Sequence, residues 1–175
     1  MYENYLTDEI RKQIHTELSK DSNLMLHMLA DRIGIPEGAV VMAMGDDMCT
    51  VVAAEVFETV WSIMTGWEKV TFITMNPGTI VEVKGPLPQG HFGHGLFNIG
   101  ADDSPLGGHL LTNKLAAICL VSKPFMGMES HSVRFYDKEG GLMFAVYAGR
   151  NGRSLIPSVK EGFMALRRAA LQGGL

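Results

Sequence analysis

Apolar side chains in the first third of the chain recur at helical intervals. Over residues 4–20 they are sparse (Leu6, Ile10, Ile14, Leu18) but fall every four residues, which predicts a surface helix with one narrow apolar stripe. Asp21 or Ser22 can cap a second helix, in which Leu24, Met25, Met28, Leu29 and Ile33 repeat until Gly34 stops it. Pro36 suits the first turn of a third, through Val40, Val41 and Met44. A fourth is expected over residues 54–66, with Val56, Phe57, Val60, Trp61 and Met64 on a broad apolar face, and Trp61 and Trp67 anchoring it against a sheet.

After Trp67 the period shortens. The runs KVTFITM, TIVEVKG, GLFNIG, GHLLTN, AAICLVS, HSVRFYD and LMFAVYAG, parted by Gly, Pro and Asn, read as strands. Their connections are too short for crossover helices, so neighbours should pair as antiparallel hairpins, most clearly around the DKEGG turn with Gly140 and Gly141 free to take positive φ. Pro157 opens a last amphipathic helix over residues 157–171. The expected fold class is α+β: N-terminal helices (about 1–67), one large curved antiparallel sheet of six to eight or more strands (about 68–150) and a C-terminal helix, in a single domain.

Composition agrees with a packed globule, since 46% of residues are hydrophobic and 19% charged. The net charge of -4 and the absence of a basic run exclude a general attraction to nucleic acid. The segment LHMLADRIGIPEGAVVMAM has the outline of a helix-turn-helix, but its second helix lacks the Lys or Arg that would meet phosphates, so a structural hairpin is the better reading and a DNA-binding regulator a remote one. No apolar stretch is long enough to cross a bilayer and the first residues are too charged for a signal peptide, so the expected place is the cytoplasm. Cys49 and Cys119 lack the spacing of a zinc site and are expected to be reduced and buried. Most of the twelve methionines must be core.

Candidate chemistry is thin. There is no GxSxG, P-loop, GxGxxG after a strand, or HExxH. Of six histidines, His15 and His27 fall in the helical region, where His27 between Leu26 and Met28 reads as a surface or boundary residue and not a ligand, and both are set aside. His91 and His94, in GHFGHG, read as a solvated loop. His109 follows Gly107 and Gly108, which leave room for a flat ligand; taken alone it is equally a satisfied core residue or an iron ligand. Met75 ends a strand, where packing is the usual role, yet its thioether is a soft ligand suited to haem iron.

These residues carry a resemblance. LPQG followed by HGLFN, then GGHLL, PFMGMES, SVRFYDKEG and the Gly149-Arg150 strand end look like the intracellular haem-utilisation carrier proteins of the HutX/ChuX type, with WSIMTGWEKVT matching the family's tryptophan-rich helix and first long strand. The resemblance covers residues 24 to about 170. It implies a HemS/ChuX-like fold, a homodimer, and a carrier that accepts haem as cargo and passes it to a degrading or storing partner without catalysis; a haem-degrading enzyme is the alternative. The family's haem-linked histidine maps to His109, and a second histidine of some relatives maps to Met75, where this chain departs from the pattern. On that basis Phe97, Phe125 and Met126 are candidate porphyrin walls, and Arg134, Lys114, Lys123 and Arg150 candidate partners for the propionates.

Overall fold

A computed structural model describes residues 2–100 and 104–175. In chain order the elements are α1 (Asp8–Lys20), α2 (Leu26–Ile33), α3 (Glu37–Ala43), β1 (Cys49–Ala53), α4 (Phe57–Thr65), β2 (Val70–Asn76), β3 (Thr79–Gly85), β4 (Gly90–Gly93), β5 (Leu96–Ile99), β6 (Gly108–Leu110), β7 (Leu115–Ser122), β8 (His131–Asp137), β9 (Leu142–Ala148), β10 (Arg150–Asn151), β11 (Ser154–Leu155) and α5 (Pro157–Leu171).

Local chemistry explains the boundaries. The Thr7 hydroxyl accepts from the Ile10 amide to start α1, Gly34 at φ 80° ends α2, and Pro157 stands in the first turn of α5. In the β8–β9 turn the Asp137 carboxylate accepts from the Glu139 and Gly141 amides, and Gly140 alone of the two glycines takes positive φ.

The main sheet has six antiparallel strands in the order β1-β7-β8-β9-β2-β3; β4-β5-β6 form a separate three-stranded sheet, and β10-β11 a small ribbon. The single large sheet expected from the sequence is thus divided. Strand β1 sits in a region expected to be helical: CTVVA is a short buried run that gains its pairing from β7, about 70 residues on, which local pattern does not reveal. Strand β4 occupies the GHFGHG stretch expected to be loop.

The two faces of the main sheet differ. On one, Phe72, Val133, Phe135, Phe144 and Val146 pack under α4, α5 and the small sheet, with Trp61 and Phe57 edge-on to Phe97 of β5 and the Trp61 indole N–H donating to the Pro88 carbonyl at 3.1 Å. On the other, α1, α2 and α3 cover only the β1-β7-β8 half, burying Cys49, Ala117, Cys119, Val121 and Tyr136. Among the described residues no helix lies over the β9-β2-β3 half of that face. Helix α3 is itself interior, with Glu37, Gly38, Ala39, Val40, Val41 and Ala43 all buried, so it offers no face to a DNA groove. Among the described residues no helix is long and apolar enough to cross a membrane.

Candidate functional site

Where the helical cover stops, a cavity of about 520 Å³ opens over the exposed half of the sheet, within the ~300–1,000 Å³ usual for small-molecule sites. Strand register orders its floor. One cross-strand row runs Val121–Ser132–Tyr147–Thr71–Lys84, the next passes through Arg134, Ala145, Ile73 and Glu82, and the last carries Met75 opposite Ile80. Leu24, Met25, Leu26 and His27 at the start of α2 form one wall; Lys123, Phe125 and Met128 form another.

Polarity changes along the strands. Lys69, Lys123 and Arg150 lie beyond the Thr71–Tyr147 row at one end, Ile73, Met75, Ile80 and Leu142 line the other, and Arg134 and Glu82 flank Ala145 and Ile73 in the row between them. Thr71 and Met75 are four residues apart, so the two ends are separated by ~13 Å of strand. The cations are held in different ways. Lys123 Nζ donates to the Ser22 carbonyl at 2.7 Å, and burial lowers its pKa. Arg150 donates to the Arg153 carbonyl at 2.8 Å and to that of Glu129. Lys84 pairs with Glu82 at 3.4 Å.

Arg134 is buried in the floor. Its Nη1 donates to Glu37 at 2.6 Å, its Nε to Ser132 at 3.3 Å and its Nη2 to the Tyr147 hydroxyl, while the Tyr136 hydroxyl donates to the same Glu37 oxygen at 2.8 Å. Burial works against its charge, but Tyr136, Tyr147 and Glu37 outweigh that and hold the guanidinium firmly protonated. Most of its five donors are therefore spent inside the protein, and its structural effect is to fix Tyr147 at the cavity surface.

The residues expected to bind haem divide between this cavity and other places. Met75, Phe125, Lys123, Arg134 and Arg150 line it. Met126, exposed with φ 51°, does not, and neither does Lys114, exposed in the turn before β7. Phe97 is 1% exposed in the core under the opposite face of the main sheet, so it walls α4 and not this cavity. His109 is exposed on β6, where it pairs with Asn98 of β5, and among the described residues none from β4, β5 or β6 lines the cavity. Since Phe97 and Leu110 of the neighbouring pair turn inward to the core, Asn98 and His109 face away from it.

His109 nonetheless has a defined proton arrangement. Its Nδ1 lies 2.7 Å from Asn98 Oδ1, and Asn98 Nδ2 donates to the carbonyls of Gly93 at 3.1 Å and His91 at 3.4 Å. The amide oxygen is therefore the acceptor and Nδ1 carries the shared proton.

Among the lining residues that the sequence reading does not single out as site residues are His27, Lys69, Lys84 and Tyr147. Alternation along LMFAVYA already places Ala145 and Tyr147 opposite Phe144 and Val146, and TIVEVKG does the same for Lys84. For His27 no local signal exists, because its role depends on where α2 crosses the sheet.

Comparisons with known proteins agree with this architecture. The pattern of the family described as haem utilisation ChuX/HutX matches residues 50–166. The intracellular heme transport protein HutX of Vibrio cholerae is 33% identical over 162 residues, which span 92% of this chain and 84% of HutX. The crystal structure of a protein from Erwinia carotovora superimposes with a TM-score of 0.84 at 30% identity, covering 90% of this chain and 98% of that one. The structure of the heme-binding protein ChuX does so with a TM-score of 0.81 at 29% identity, covering 91% and 99%. With two thirds of its length matched by the family pattern and a relative 33% identical over 92% of it, the chain belongs to the ChuX/HutX haem-utilisation family.

Proposed function

We propose that the chain carries haem as cargo, seats it in the cavity on the open half of the main sheet, and hands it to a haem-degrading or haem-storing protein without chemistry of its own. The observation that carries this reading is the sorting of the cavity floor. A porphyrin has an apolar macrocycle and two carboxylates on one edge; Ile73, Met75 and Ile80 suit the first, and Lys69, Lys123 and Arg150 suit the second. Tyr147, held by Arg134, adds a hydroxyl between the two ends. The names of the related transport and heme-binding proteins point the same way.

Of the two iron ligands that the resemblance suggests, Met75 belongs to this cavity, whereas His109 would hold a haem on the outer face of the small sheet. Within one chain the two cannot share an iron, because the main sheet and its core lie between them. A homodimer also belongs to the proposal. Among the described residues no strand pairs with the outer edge of β3, and Ile80 at 57% and Val81 at 46% are exposed on its two faces, which suits cover by a second copy.

A hemin titration followed at the Soret band tests the seat. Thr71→Trp fills the middle of the floor with a residue that favours strands, and should weaken binding by about tenfold or more, while His109→Ala should leave it near wild type. Loss confined to His109→Ala would move the haem to the small sheet and refute the cavity as the seat. With reductant, oxygen and catalase present, the loaded protein should keep its Soret band; conversion to a bile pigment would make it an enzyme.

A further inference from the structure

The sequence sets His27 aside, yet of the six histidines, all among the described residues, it alone lines the cavity. We propose that His27 supplies the imidazole that binds iron when haem occupies this site, an inference that rests on the cavity being the haem seat.

Three observations carry it. The chain on either side of α2 is tied to the sheet's strands and turns: Lys123 Nζ donates to the carbonyl of Ser22, four residues before α2, and the amide of Gly38, in α3 after it, donates to the Gly140 carbonyl of the β8–β9 turn at 2.9 Å. The buried α2 residues Leu26, Leu29 and Ala30 face the core of the helical half, which fixes the rotation of the helix and leaves His27 at the cavity wall. Neither ring nitrogen of His27 hydrogen-bonds to another described residue, so both are open to a ligand, in contrast to His131, whose Nδ1 meets Ser122 at 2.9 Å and whose Nε2 meets Glu129 at 3.0 Å.

The surroundings suit an iron porphyrin better than a bare metal ion. Among the described residues no group of three or more His, Cys, Asp and Glu could hold a metal on its own, so a cation here would need its other ligands supplied. Haem does this, since four porphyrin nitrogens travel with the iron and the protein need add only one imidazole. Leu24 and Met25 on the His27 wall and Phe125 on the other offer a porphyrin apolar contacts, and Met75 is the thioether on the same cavity that could compete for the iron.

The test is resonance Raman of the ferrous haem complex together with hemin affinity, for wild type, His27→Ala, His27→Gly, Met75→Ala and His109→Ala. The expected result is an iron–histidine stretch in wild type, Met75→Ala and His109→Ala that is absent from both His27 variants. Affinity in His27→Ala should fall by at least the ~10–100-fold seen when an outer partner of a metal ligand is removed. Added imidazole should restore an imidazole-bound spectrum to His27→Gly, which a merely structural role would not allow. An unchanged stretch in His27→Ala, or its loss in His109→Ala or Met75→Ala instead, would overturn the assignment. An unchanged stretch in His27→Ala, or its loss in Met75→Ala, with Thr71→Trp still failing to bind, would leave the haem seat standing and remove only His27; loss in His109→Ala, or binding that survives Thr71→Trp, would remove the seat as well.

Discussion

Arg134 illustrates how the fold uses a charge that looks available in the sequence. Its position between Val133 and Phe135 correctly places it on the cavity side of β8, but only the tertiary structure shows Glu37, 97 residues away in sequence, closing on it at 2.6 Å. Both side chains are nearly inaccessible, so the pair stands or falls together. Glu37→Ala should cost about 3–5 kcal/mol, because it leaves a guanidinium buried without its counter-charge, whereas a Glu37→Leu/Arg134→Met double substitution should cost much less. Urea unfolding of the three proteins checks this; equal losses in the single and double variants would refute a buried ion-pair origin. Met75, Phe125, Lys123 and Arg150 were legible because a strand end or a strand-flanking motif marks them. His27 was not, since a histidine between two apolar helix residues carries no periodic sign of what its helix will face. Phe97 misled for a different reason: its aromatic ring suits a porphyrin, but alternation in LFNI turns it into the core with Ile99 and sends Asn98 outward.

Among the elements, those with a long periodic pattern follow the sequence closely, and those that depend on distant partners do not. Helices α1, α2 and α5 and strands β2, β3, β7, β8 and β9 all lie where periodicity puts them. The short β1 is read only through its pairing with β7, and β4 is hidden by the glycines that make it possible. Gly90 at the start of β4 is one of these: a Cβ there would lie 2.2 Å from a Phe97 ring carbon and 3.1 Å from the Asn98 carbonyl oxygen. Gly90→Ala should therefore destabilise by about 1–3 kcal/mol through overpacking, read as a lower urea midpoint with an unchanged slope. Stability equal to wild type would mean that the ring moves aside freely and that the small sheet is not tightly locked to the core.

At the level of the whole molecule, function follows from unequal cover on the two faces of one sheet. One face is closed by α4, α5 and the small sheet around an aromatic core, and the other is closed only as far as β8 by the N-terminal helices. The uncovered remainder is the proposed seat, with cations at one end of its floor and apolar side chains at the other, an arrangement suited to holding an amphipathic cargo that must later be released. The fold class and family were legible from periodicity and motifs, while the location of the seat was not, because it arises from where the helical layer ends. Locating the iron is the most direct test. Anomalous scattering from crystals of the hemin-loaded protein should place it between α2 and the β9-β2 surface, with the propionate edge toward Lys69, Lys123 and Arg150; an iron peak beside His109 on the outer face of the small sheet would contradict the account.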